Sequence, residues 1–325
     1  MQSQSSVLLL HYDPAFQRTL GRFLTERGFA VDLLSSGFAG LRRLAARAAH
    51  GAPYGMLLAA PHLMDIDGPT VLRVARSRYP DLPVVLLEDP ESPFAAALRE
   101  KLPEAHLMSP DGAPDKLIAL LRDVAAPQPC ALRLDTDSVS LCYGFLRLDE
   151  AADGARIFSA LDGMPEVGHC DAVRGRWDII AEITPGDSGV EAMERELLGL
   201  AGVASAGVRV FGQPPLPEYM DGYVESWRAL RGSADSLRDP SRVKCYVLLE
   251  TEAHKMAGLF VRLFFLDEVL EVGSGDCGSL MLALLQGESR RSLSRLISEN
   301  LRYLDGVLRI EEAMVVSMGG QGCVG

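Results

Sequence analysis

Chemistry in this 325-residue chain has to come from a few short clusters. His11-Tyr12-Asp13 follows the apolar run Val7 to Leu10, and Ala60-Pro61-His62-Leu63-Met64-Asp65-Ile66-Asp67-Gly68 follows a second run. Glu88 and Ser109 each stand just beyond a further one. Two imidazoles and a carboxylate, His11, His62 and Glu88, are ligand types that suit Zn²⁺ or another transition metal. No His-x-x-His spacing joins them, so the plainer reading makes them hydrogen-bonded rim groups. Catalytic signatures are missing: there is no Gly-x-Ser-x-Gly, no Walker loop and no Gly-x-Gly-x-x-Gly after an apolar run. His169 with Cys170, and His254, read as exposed polar positions, and the chain is expected not to be an enzyme and to need no cofactor.

The clusters sit in a chain of ordinary globular composition. With 48% hydrophobic and 23% charged residues and no long polar tract, it has the makings of a folded protein, and its length suits two or three domains. The net charge of −12 is uneven: residues 1–129 hold 13 Lys/Arg against 14 Asp/Glu, and the remainder 19 against 30. That C-terminal acidity repels phosphate backbones and anionic lipid, which argues against direct nucleic-acid or membrane binding. Cys130, Cys142, Cys170, Cys245, Cys277 and Cys323 show no Cys-x-x-Cys spacing and read as reduced thiols, neither zinc ribbon nor disulfide framework. No apolar run reaches the ~18 residues of a membrane span. The start lacks the basic and apolar regions of a signal peptide, so the expected location is the cytoplasm.

The elements that must position these residues follow from periodicity. Up to residue 124, short apolar runs (7–10, 30–34, 56–60, 84–87, 106–108) alternate with amphipathic stretches (15–27, 37–49, 68–79, 92–101, 113–124), as in a doubly wound α/β domain over 1–126. Its functional face lies at the carboxyl ends of the strands. Ala125-Ala126-Pro127-Gln128-Pro129 stops the last helix. Beyond it the chain repeats: Cys142-Tyr143-Gly144-Phe145-Leu146 recurs as Cys245-Tyr246-Val247-Leu248-Leu249, about 103 residues later. Helical stretches at 151–161 and 253–265, Glu-Val pairs at 166–167 and 268–269, turns at Gly175 and Gly275, and helices at 188–200 and 289–303 keep the same order. Each copy, 130–212 and 243–318, therefore reads βαββαβ, the ferredoxin-like unit of a four-stranded antiparallel sheet with helices on one face. Residues 213–242, with a short helix near Tyr219 to Leu230, read as a connector between the copies. Gly319 to Gly325 reads as a flexible tail.

The first region resembles the receiver domain of bacterial response regulators. The resemblance rests on Val7 to Leu10 with His11-Tyr12-Asp13-Pro14, on Met64-Asp65-Ile66-Asp67-Gly68, on the Pro83 to Leu87 run and on Ser109-Pro110. It implies a flavodoxin-like fold whose phosphoacceptor aspartate stands eight residues before Gly68, and that place is held by Ala60. The Mg²⁺-holding acidic cluster falls on His11, Tyr12 and Asp13, the phosphoryl-sensing Ser/Thr on Glu88, and the lysine on Ser109. His106 takes the aromatic position of the fifth strand. A methyl group accepts no phosphoryl, a lone carboxylate is a poor Mg²⁺ site, and Glu88 would repel phosphate. The implied domain is a pseudo-receiver kept for protein–protein interaction in a signalling pathway such as a two-component system. The alternative is a metal-dependent sensor or enzyme built on His11, His62 and Glu88 in the altered pocket.

The first repeat resembles the effector-binding domain of the Lrp/AsnC family, on Val173-Arg174-Gly175-Arg176-Trp177-Asp178-Ile179-Ile180 and Leu200-Ala201-Gly202-Val203. The resemblance implies sheets paired face to face and an amino acid or other small metabolite near Gly175, Trp177 and Asp178, with Asp178 receiving an amino group. The second copy has Gly275-Asp276-Cys277-Gly278-Ser279 at the turn, with no aromatic residue. The tandem copies are expected to pair with each other as an intrachain pseudo-dimer or with a second chain as a homodimer. No basic recognition helix accompanies them, so direct DNA binding is not expected.

Overall fold

The computed structural model describes residues 6–88, 90–103, 105–109, 117–119, 141–184, 189–232, 238–275 and 279–316. They fall into two compact units, one drawn from residues 1–136 with 217–232 and the other from 137–216 with 233–325.

In the first unit, strands β1 (Ser6–Leu10), β2 (Ala30–Leu34), β3 (Met56–Ala59), β4 (Val84–Leu86) and β5 (His106–Leu107) form a parallel sheet in the order β2-β1-β3-β4-β5. This is the flavodoxin-like doubly wound order. β1, β3 and β4 are buried along their whole length, as parallel strands sandwiched between helices must be. Helices α1 (Pro14–Glu26), α2 (Gly37–Ala49) and α3 (Gly68–Arg78) start where their sequences dictate. Asp13, Ser36 and Asp67 cap their first amides, and a proline occupies the first turn of α1 and α3. Helix α4 spans Ala95–Lys101. Of the expected helix 113–124 only 117–119 are described; they are helical, and Leu117 and Ile118 join the core of Val7, Leu9, Met56, Leu58 and Val85.

A further helix of this unit comes from the region read as a connector. Helix α7 (Glu218–Arg231) buries Met220, Tyr223, Val224 and Trp227 on one stripe. It lies on α2 and α3: Tyr223 Oη donates to the Leu41 carbonyl at 2.9 Å, and the Arg73 guanidinium stands 4.9 Å from the Trp227 ring. The segment is therefore part of the first unit, because its apolar stripe needs a protein surface and finds one there.

The second unit holds both repeats. The first runs β6 (Leu141–Leu148), α5 (Gly154–Asp162), β7 (Val167–Arg174), β8 (Ile179–Ile183), α6 (Val190–Leu198) and β9 (Val203–Phe211). The second runs β10 (Val243–Thr251), α8 (Met256–Phe264), β11 (Val269–Gly275), β12 (Leu280–Gly287), α9 (Arg290–Arg295) and β13 (Val307–Val315). The helix expected over 289–303 is α9 followed by a π turn, Leu296–Asn300, and a 3₁₀ turn, Leu301–Tyr303. All eight strands form one antiparallel sheet, ordered β11-β12-β10-β13-β7-β8-β6-β9. The repeats join where Met314 and Val315 pair with Arg174 and Val173. The two outer strands meet as well, through Gly212 and Ser274, whose reciprocal amide–carbonyl bonds are 2.9 and 2.8 Å long. The sheet thus curls back on itself.

Strand alternation divides the side chains into two cores. Cys142 and Leu146 face α5 and α6 and pack with Ile157, Leu161, Met193 and Leu197. Tyr143 and Phe145 face inward and meet Tyr246, Leu248, Leu282 and Leu284 of the other copy. Each repeat covers the other's open face. Of the two pairings left open above, the intrachain one is formed within this unit.

Candidate functional site

The strand ends of the first unit gather the residues expected there. Register pairs Leu10 with Ala59, Ala59 with Leu86 and Leu86 with Leu107, so His11, Ala60, Glu88 and Ser109 all follow from one edge of the sheet. Ala60 is buried at the end of β3, and its amide donates to the Leu10 carbonyl at 2.8 Å. Gly68 is required beside it: a Cβ on that residue would stand 2.0 Å from the Ala60 carbonyl oxygen.

The polar groups around Ala60 are engaged in building the scaffold. Asp13 accepts the Ala15 amide at 2.7 Å as the cap of α1. Asp65 receives the Ser36 hydroxyl at 2.6 Å and the Gly37 amide at 2.7 Å, and Asp67 receives the Thr70 amide at 2.9 Å. The buried His11 ring stacks on Phe16 with centroids 4.2 Å apart, and its Nδ1 accepts the Asp13 amide at 3.0 Å. Burial lowers the His11 pKa, and the amide on Nδ1 suits the neutral ring. Tyr12 is exposed, and so is His62, while Glu88 and Ser109 are half-buried. The Mg²⁺ that the receiver resemblance implies does not fit these residues, since the one carboxylate of the three, Asp13, is a helix cap. Nor are His11, His62 and Glu88 gathered: among the described residues no three His, Cys, Asp or Glu side chains are arranged to hold a metal ion.

In the second unit, the trio expected to bind an effector is divided among structural tasks. A Cβ on Gly175 would lie 2.6 Å from the Glu312 carbonyl oxygen, so glycine there lets the repeats approach at the β7–β13 seam. The Asp178 carboxylate accepts the Leu148 amide at 2.9 Å through one oxygen and closes the start of β8. Trp177 packs on Phe145 with ring centroids 5.7 Å apart. It also lines a cavity of about 90 Å³ at the Glu250/Leu280 end of the closed sheet. Phe145, Leu248 and Leu280 supply the apolar wall of that cavity, and Arg176, Arg209, Glu250 and Glu311 its charged rim.

The opposite end of the same sheet carries a buried polar network that the sequence did not single out. Tyr143 of the first copy donates to Glu271 of the second, and Tyr246 of the second donates to Asp171 of the first at 2.8 Å. Arg238 bridges the copies, reaching Glu182 at 2.7 Å and Glu271 at 3.0 Å. Lys244 and His169 approach Asp171 at 3.7 and 3.2 Å. Burial raises the Asp171 pKa, but hydrogen bonds from His169 and Tyr246 and the charge of Lys244 outweigh it and hold the carboxyl below its ordinary value. Burial pushes Glu271 up against the pull of Arg238, and pushes both tyrosines well up. The available signal was polar residues at inward positions of apolar strands, such as Glu182 in Ile-Ile-Ala-Glu-Ile.

Among the described residues no helix is long and apolar enough to cross a membrane. No family model matches the chain, and no curated protein matches it. Among solved structures, the chain is similar to the signal receiver domain of an HD domain-containing protein from Pseudomonas fluorescens, at 21% identity and a TM-score of 0.33, covering 37% of this chain and 94% of that one. It is similar to a response regulator receiver protein from Sinorhizobium medicae at 22% identity and a TM-score of 0.32, covering 38% and 100%. A CheY-like receiver domain protein from Methanospirillum hungatei matches at 16% identity and a TM-score of 0.32, over 37% and 93%.

Proposed function

We propose that this chain is a signalling or regulatory protein that works by binding and assembly, without phosphoryl transfer and without catalysing a reaction. In this reading the first unit is a pseudo-receiver that presents a docking face to a protein partner. The second is a pair of ferredoxin-like domains of the Lrp/AsnC type, closed on each other as a pseudo-dimer, that senses a small metabolite. The observation that carries the reading is Ala60 itself, a methyl group buried at the end of β3, while Asp13 and Asp67 cap α1 and α3 and Asp65 holds the start of α2. A phosphoryl group has no oxygen to attach to at that place and no carboxylate-held metal to neutralise it. The strand order of each repeat, β7-β8-β6-β9 and β11-β12-β10-β13, supports the ferredoxin-like assignment.

Incubating the full chain with acetyl phosphate and Mg²⁺, followed by intact-mass measurement, tests the central part of this reading. The expected result is an unchanged mass. A stable acyl phosphate mapped within residues 1–124 would overturn it.

A further inference from the structure

We propose that the carboxyl-end edge of the first unit's sheet docks a basic amphipathic helix of another protein. Tyr12, Met64 and Phe94 take the apolar stripe of that helix, and the carboxylates around them face its lysines or arginines. The inference rests on the pseudo-receiver reading above and names the chemistry of the partner.

The three apolar side chains are 58%, 74% and 71% exposed. They follow three neighbouring strands, β1, β3 and β4, whose spacing of about 4.8 Å puts the loops within roughly 10 Å of one another where they leave the sheet. Large side chains of ~200 Å² each, exposed to this degree, present roughly 400 Å² together, the size at which a surface patch marks an interaction site. Each is also held in place. Tyr12 stacks on the buried His11 ring with centroids 4.9 Å apart, and Met64 precedes the Asp65 that ties the start of α2. The Phe94 carbonyl accepts the Leu98 amide at 3.0 Å where α4 begins. Docking therefore orders little that is not already ordered.

Charge selects the partner. The loops 11–13, 35–36, 60–67 and 88–94 contain no lysine or arginine. Asp13, Asp65, Asp67 and Glu88 stand in them, and among the described residues none of the four forms an ion pair with a lysine or arginine. The amides that the three aspartates accept occupy lone pairs and leave the negative charge in place. Such an edge repels nucleic acid and anionic lipid, and a second copy docked symmetrically would set the same acidic edge against itself. Cationic side chains flanking apolar ones match both properties. A helix with apolar residues at i, i+4 and i+7 carries them over about 10 Å, the width of the three loops.

The test is fluorescence anisotropy of a labelled helical peptide, with Leu at i, i+4 and i+7 and Lys on the flanking positions, titrated with the full chain at low salt. Saturable binding is expected. Peptides with every Leu changed to Ser, or every Lys to Glu, should each bind at least about tenfold weaker. The Met64→Ser, Phe94→Ser double variant should weaken the parent peptide about tenfold, and Glu88→Gln about twofold. These side chains are exposed or half-buried, so unfolding midpoints should match the parent's. Tyr303→Ser, which removes a comparably exposed ring from the second unit, should leave binding as it was. No saturable binding, equal binding of the Glu peptide, indifference to the double variant, or an equal loss in Tyr303→Ser would each overturn the proposal. So would a concentration-dependent dimer of the full chain that the double variant abolishes, which would assign the patch to a second copy. The acetyl phosphate experiment reads a separate outcome: an unchanged mass with no peptide bound would end the docking proposal and leave the pseudo-receiver reading standing.

Discussion

The strand ends of the first unit and the interior of the second both collect polar side chains, but they connect them over different distances. Around Ala60 the bonds are short-range or serve one element: Asp13 caps the helix that follows it, Asp67 caps α3, and Asp65 ties the start of α2. In the closed sheet they run between copies: Tyr246 meets Asp171 across 75 residues and Tyr143 meets Glu271 across 128. The first arrangement uses its carboxylates to fix the starts of three helices. The second holds two duplicated halves in one register, and it leaves a cavity at the end where the network stops.

The difference has measurable consequences, greatest where charge is buried. Arg238→Ala leaves Glu182 and Glu271 facing each other without their shared cation, and unfolding in denaturant should show a loss of about 3–5 kcal/mol. A loss below about 1 kcal/mol would mean that water already reaches the pair. Asp65→Ala frees the start of α2, which Ser36 still caps, and thermal unfolding should register about 1–2 kcal/mol. Were this the larger of the two effects, the contrast between the units would be inverted.

The pH dependence is a finer discriminator. The folded Asp171 carboxyl titrates below its ordinary value of 3.8, so its stabilising contribution is full above that value and is lost as pH falls through the folded one. Urea midpoints measured below about pH 4 should therefore fall less steeply in Asp171→Asn than in the parent chain. Glu271 works in the opposite sense: its folded pKa is raised, so its contribution is present at low pH and declines as pH rises. An unchanged acid slope in Asp171→Asn would remove Asp171 from the account.

What could be read from sequence follows the same division. Runs such as Val-Leu-Leu-Leu and Met-Leu-Leu-Ala declare buried parallel strands, and the repeated Cys-Tyr pair declares two copies, because both patterns are local. The stripe Met220, Tyr223, Val224, Trp227 declares a buried helix face but not the surface that receives it, so in sequence α7 has the look of a connector. Asp13 looks the same in sequence whether it is left over from a metal cluster or caps a helix; only the amide it accepts decides. The structural bond of Asp178 is hidden for a like reason, since the Leu148 amide it accepts lies 30 positions away. Arg238, Glu182 and Glu271 were missed because nothing near them in the chain marks them as partners.

The claim beneath both the network and the cavity is that the two repeats of a single chain close upon each other. Gly212 and Ser274 exchange a pair of backbone hydrogen bonds where the outer strands meet, a geometry whose Cα separation of about 5.5 Å lies within reach of a disulfide. Oxidising the Gly212→Cys, Ser274→Cys double variant should give a cross-link within one chain, seen by mass spectrometry as a 212–274 linked peptide at the monomer mass. A 212–274 link that appears only in a covalent dimer would contradict closure within one chain and assign the pairing to two chains.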